Sequence, residues 1–262
     1  MNNNFSLQVP IVEIRKQGKD SLEKCQSDLT NFLQKKFDET LENDPILAEV
    51  VDKLKSLSSK GVVFGGWVRD KVINFQKSKN ISSQDIDIVI CDLTQSDLKK
   101  NLPTSTVANL FGGFSTRTSS NKIDVWLLEN TFLIKRFNFP TTFEGLPGTT
   151  VFRINSIIFK PKQLWTFPET IELGCIDAIN NDVIDFQASI IPFPQIQVSR
   201  ALIYSVKLKL TLSQEVKTFI KNICDCQSSI SLVKKGLQEN CPERFLSNTI
   251  ELFELVLTQG SI

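Results

Sequence analysis

Residues 60–75, KGVVFGGWVRDKVINF, and 84–93, QDIDIVICDL, constrain this chain more than any other stretch. In the first, a short apolar run meets two glycines and then helical spacing. That order predicts a strand, a tight turn at Gly65-Gly66 and a helix from Trp67 to about Gln76. In the second, strict alternation predicts a strand with Asp85, Asp87 and Val89 on one face and Ile86, Ile88 and Ile90 on the other. Two carboxylates on one strand face repel unless cations lie between them, the arrangement of a two-metal site. An isolated Asp-x-Asp is more simply a strand whose polar face meets water. An EF-hand is excluded, because its loop needs a glycine and further oxygen ligands rather than interleaved isoleucines.

Composition narrows the chemistry. Among 262 residues there is no histidine, which removes Ser-His and Cys-His nucleophilic pairs, HExxH zinc sites and histidine acid–base catalysis. Catalysis on this chain has to use carboxylates, lysines, or metals held by oxygen. Six scattered cysteines include one close pair, Cys224-Asp225-Cys226, which is poor zinc spacing, so reduced thiols are expected. A net charge of +1 gives no global field for nucleic acid, and any such contact has to be a local patch. No apolar run is long enough to span a membrane, and the opening MNNNFSLQVPIVEIRK has no signal-peptide pattern, so the expected compartment is the cytoplasm.

The pattern along the chain gives three regions. Residues 1–60 read as a helical lead-in, with Asn43-Asp44-Pro45 as a cap and first turn inside it. Residues 61–194 read as an α/β part, with further strands at KIDVWLL (122–128) and FRINSIIFK (152–160), and shorter ones near 171–173 and 183–186. Residues 130–150, rich in Phe, Pro, Thr and Gly, read as a loop over the core. Residues 195–262 read as helices. The expected fold class is α/β (α+β), a mixed sheet with flanking helices plus a helical C-terminal region.

Gly65-Gly66 between strand and helix would let backbone amides and the helix start face a phosphate, although an ordinary strand–helix turn has the same look. Neither GxGxxG nor GxxxxGK[ST] is present, so dinucleotide and P-loop readings lack their motifs. Asp124 in KIDVWLL is a third strand acid. Taken together, GGWVRD, DIDIV and a later strand aspartate resemble the nucleotidyltransferase head shared by CCA-adding enzymes and bacterial poly(A) polymerases. Those enzymes carry GGxVRD, DxD and commonly RDFTIN(A/S). FRINSIIFK resembles the last motif with Arg153, Asn155 and Ser156 in register but its Asp-Phe-Thr shortened, and SRALIYSVKLKLTLS resembles the family's neck helix through Arg200 and Ala201. The resemblance covers roughly residues 60–215. The EDxxR-like motif by which CCA-adding enzymes select bases is not found.

The resemblance implies transfer of a nucleoside monophosphate from an NTP to an acceptor hydroxyl, with pyrophosphate released. Asp85, Asp87 and Asp124 would be the catalytic carboxylates holding two Mg²⁺ (or Mn²⁺) ions. Gly65, Gly66, Arg69 and Arg153 would contact the nucleotide. Arg69 could equally pair with Asp70 or an active-site carboxylate, Arg153 with a strand neighbour, and Trp126 could stack on a base or belong to the core. The favoured acceptor is an RNA 3′ end, tRNA-like, which the basic residues Arg200, Lys207, Lys209, Lys217, Lys221, Lys234, Lys235 and Arg244 would line if they are not simply a solvated helix surface. A protein hydroxyl, as in toxin-type relatives, is the alternative acceptor. A non-catalytic nucleotide-binding module and a purely structural partner protein are the alternatives to an enzyme.

Overall fold

The computed structural model describes residues 10–14, 21–83, 85–109 and 112–258. Two compact units emerge by contact: residues 19–150 with 154–177, and residues 1–18 with 151–153 and 178–262. This is not the linear division at 60 and 194 that the composition suggested. The lead-in helices pack within the sheet's own unit, because their apolar stripes cover one of its faces.

Strand β1 (Ile11–Glu13) belongs to the second unit. The first unit begins at β2 (Glu23–Lys24), followed by α1 (Ser27–Asn43) and α2 (Pro45–Ser56). Asp44 caps α2 by accepting the Leu47 N–H at 3.1 Å, with Pro45 in the first turn where its missing N–H costs nothing. Next come β3 (Gly61–Phe64), α3 (Gly66–Lys77), β4 (Asp85–Ile90), α4 (Gln95–Asn101), β5 (Val107–Ala108), β6 (Phe114–Arg117) and β7 (Lys122–Leu127). Helix α5 (Phe132–Phe137) and a 3₁₀ segment, Phe143–Thr149, lead to β8 (Ile157–Lys160) and β9 (Glu169–Glu172), and α6 (Cys175–Asn180) follows.

Strands β2 to β9 form one mixed sheet in the order β2-β9-β8-β3-β4-β7-β6-β5. The central pair β4 and β7 is parallel; its neighbours β3 and β6 are antiparallel to it. One face carries Ile86, Ile88 and Ile90, all fully buried, and is covered by the helices: Phe37 of α1 meets Trp67 of α3 edge-on at 5.8 Å and Phe159 of β8 at 6.1 Å. Along the other face, Val62, Val89, Ile158 and Ile171 are buried under Leu128, Ile134, Phe143 and Leu146. Residues 130–150 therefore do lie over the core, but as a helix and a 3₁₀ segment rather than a loop alone. Lys160 fastens them down, with Nζ 2.8 Å from both Glu144 and Glu169.

The expected strand 152–160 is shorter than its pattern. Arg153–Asn155 is a 3₁₀ turn, and only Ile157–Lys160 joins the sheet. Phe152 forms an isolated bridge with Phe186 and the Arg153 N–H donates to the Asp185 carbonyl at 2.9 Å, so this backbone is committed elsewhere.

In the second unit, β1 pairs antiparallel with β11 (Ile190–Pro192), and β10 (Val183–Ile184) pairs parallel with β12 (Thr211–Leu212). The remainder is helical: α7 (Pro194–Leu208), α8 (Gln214–Ile223), α9 (Gln227–Asn240) and α10 (Glu243–Thr258). Ser213 caps α8 through the Val216 N–H at 3.2 Å. No helix among the described residues is long and apolar enough to cross a membrane.

Candidate active site

The site is assembled at one end of the central strand pair. Asp87 stands in register with Asp124 across the parallel β4–β7 ladder, and Phe64 stands opposite Asp87 on β3. Adjacent strands lie about 4.8 Å apart, so the two carboxylates leave the same face as immediate neighbours. Asp85, exposed, is two residues back on that face and in register with Lys122. Further along, the same face carries Val89 and Trp126 and passes under the covering segment. The acids thus sit where the sheet face emerges from its own core.

Gly65 forms the turn beside them. Its backbone, φ +68° and ψ −121°, lies in a region closed to side chains, and a Cβ there would sit 3.8 Å from Asp87 Oδ2. A residue without a side chain keeps the space beside Asp87 open at the start of α3. Gly66 has ordinary helical geometry, with no positive φ.

Asp124 is closely held. Ser115 of β6, its register partner, donates a short hydrogen bond to Oδ1, and Lys122 Nζ lies 2.5 Å from Oδ2. The β6–β7 turn that presents Lys122 is anchored to α2, since Asp44 Oδ2 accepts from Thr118 Oγ1 and Asn121 Nδ2, each at 2.7 Å. Burial works against the Asp44 charge, but the bonds from Asn121 and Thr118 outweigh it and hold its carboxyl below the usual range.

Arg69 pairs with Asp70, one of its two expected partners. It is buried, with Nε 2.8 Å and Nη2 2.7 Å from Asp70 Oδ1, while Nη1 donates to Asn155 Oδ1 at 2.7 Å. Two donors thus share one Asp70 oxygen, and the bond to Asn155 ties the helix after the glycine turn to the segment before β8. Arg153 belongs to the second contact unit, not to the one that carries the acids. Trp126 donates its indole N–H to Thr131 Oγ1 at 3.0 Å and meets Phe64 edge-on at 6.4 Å, so it packs with the covering segment. Sequence reasoning missed Ser115 and Lys122. Alternation alone places Lys122 on Asp124's face, but Ser115 depends on which strand pairs with β7.

Among the described residues, no three His, Cys, Asp or Glu side chains converge so as to hold a metal ion. The donor set nonetheless suits a hard divalent cation: three carboxylates on one face, and a cation, Lys122, already against one of them. All six cysteines are free thiols.

No family model matches the chain, and no curated protein matches it in sequence. Its fold is that of solved CCA-adding enzymes. One in complex with ATP superimposes with a TM-score of 0.61 at 17% identity, covering 90% of this chain and 55% of that one. A CTP complex gives 0.58 at 16% identity, covering 89% and 55%, and the Thermotoga maritima CCA-adding enzyme complexed with tRNA gives 0.54 at 15%, covering 89% and 55%. The chain thus spans little more than half the length of each. Fold and mixed sheet are those that the GGWVRD and DIDIV resemblance implied.

Proposed function

We propose that this chain is a nucleotidyltransferase, moving a nucleoside monophosphate from an NTP to an acceptor hydroxyl with release of pyrophosphate. The observation that carries the reading is that Asp87 stands in register with Asp124, with Asp85 two residues back on the same sheet face and the Gly65 turn beside Asp87, in the fold of the CCA-adding enzymes. The favoured acceptor is an RNA 3′ end; the solved relatives of the same fold include complexes with ATP, CTP and tRNA.

Divalent ions held by Asp85, Asp87 and Asp124 would lower the acceptor hydroxyl's pKa and neutralise charge building on the α-phosphate and pyrophosphate. The chain's own part is placement. Asp87, central between Gly65 and Asp124, would hold such ions together with its neighbouring acids. Asp124 is aimed by Ser115 and lies on the far side of Asp87 from the glycine turn, which suits it to the acceptor hydroxyl. The triphosphate would lie over Gly65 and the first turn of α3, where N–H groups and the helix dipole favour negative charge. Arg69 acts at one remove, tying the first turn of α3 to Asn155.

The test is incubation with each labelled NTP and Mg²⁺ or Mn²⁺, with and without total RNA. Pyrophosphate release and a labelled RNA are expected, and Asp87→Asn should abolish both while leaving the chain folded. A folded Asp87→Asn variant with undiminished turnover overturns the two-metal assignment. Label appearing on protein instead of RNA replaces the acceptor.

A further inference from the structure

Lys122 is the cation that the strand itself sets against the acids. Two residues before Asp124, it shares its face, stands in register with Asp85 on one side and Arg117 on the other, and contacts Asp124 Oδ2 at 2.5 Å. Three carboxylates on adjacent strand positions repel one another, and like charges across a ladder destabilise a sheet. One ammonium relieves part of that repulsion. Its side chain is one-third exposed (34%) while that of Asp124 is at 16%, so the lysine reaches the carboxylate from the solvent side and has room to withdraw. Ser115, by contrast, grips the other oxygen and does not compete for Oδ2.

We propose that Lys122 is a displaceable counter-ion: it neutralises Asp124 while no cation is bound, and it has to give up Oδ2 before a divalent ion can use it. It is thus a positioning residue that sets the cation affinity of the site, a role that rests on reading the three acids as a cation site. An ordinary strand ion pair would stabilise β7 and nothing more. A counter-ion competes with the ligand, so its removal should tighten binding. A unit charge about 5 Å from a divalent ion in a water-like dielectric corresponds to roughly tenfold in affinity.

The experiment is Mn²⁺ titration of the nucleotide-free protein, followed by the electron paramagnetic resonance signal of the free ion. Lys122→Gln should bind Mn²⁺ about tenfold more tightly than wild type, and Lys122→Arg, which keeps the charge, should stay near wild type. Adding Asp87→Asn to Lys122→Gln should remove the gain. Melting in chelator gives a second reading: Lys122→Gln should melt lower than wild type, and Mn²⁺ should raise its midpoint by more. Equal or weaker Mn²⁺ binding by a folded Lys122→Gln, with Asp87→Asn still weakening it, overturns the counter-ion role and leaves the acid site standing. Mn²⁺ binding that is absent from all variants, or indifferent to Asp87, overturns both.

Discussion

At Gly65, φ +68° with ψ −121° makes the backbone itself a requirement of the site. Gly65→Ala should cost about 1–3 kcal/mol of stability, since an L-residue in this region is strained however much space surrounds it. Urea unfolding measures this, and NTP binding should weaken in parallel because the turn cannot keep its path past Asp87. Arg69 and Asp70 are a different case. Both are buried, so Arg69→Ala takes a charged partner from a buried carboxylate and should cost about 3–5 kcal/mol by the same measurement. Arg69→Lys should recover only part, because one ammonium cannot reproduce the fork to Asp70 and Asn155. Sequence alone leaves Arg69 open between phosphate and Asp70. Its neighbour in the chain is visible there, but Asn155, 86 residues away, is not.

Among the elements, the covering segment packs over the apolar part of the acid-bearing face, and Lys160 is its clasp. Hydrogen bonds from Lys160 hold the Glu144 and Glu169 carboxyls below their usual range; burial pulls Lys160 down, but the two glutamates outweigh it and raise it. The lowered carboxylates contribute stability above the unfolded glutamate pKa, near 4.5, and lose it as pH falls through their folded values. Raised Lys160 contributes fully below its ordinary 10.5 and loses it as pH rises through its folded value. The stability gap between wild type and Lys160→Met should therefore be widest between these limits and close in acid, as thermal melts across pH would show. The strand pattern of 157–160 was legible, whereas this triad depends on Glu144 and Glu169 being brought to one lysine by tertiary packing.

For the molecule as a whole, the proposed RNA acceptor makes its demand on the basic residues of the second unit. Lys234 and Lys235 already pair with Glu254 at 3.1 Å and Glu239 at 3.8 Å, which makes them ordinary helix-surface charges. Lys209 is exposed at the end of α7, with Lys207 in that helix's last turn. Reversing both charges should weaken RNA binding while NTP binding stays intact. In filter binding, the logarithm of affinity should fall against log salt by roughly 0.7 per phosphate contacted, and the variant's slope should be shallower. Undetectable RNA affinity at low salt, together with nucleotide labelling of a protein, turns the acceptor from RNA to a protein hydroxyl.

Local pattern by itself determined the Asp85/Asp87 face, the glycine turn, the Asp44-Pro45 helix start and the helices after Pro194, because each rests on periodicity or on backbone chemistry within a few residues. The absence of histidine likewise limits the chemistry through composition alone. Tertiary structure decided the rest. Alternation says which face Asp124 takes but not which strand lies beside it; only the parallel pairing of β4 with β7, across 31 intervening residues (91–121), sets it against Asp87. The antiparallel pairing of β6 with β7 brings Ser115 to the Asp124 carboxylate, and long-range contacts direct Arg69 away from solvent and split FRINSIIFK into a turn and a strand. Faces are a property of the chain's own repeat, whereas neighbours are chosen by what the fold must bury.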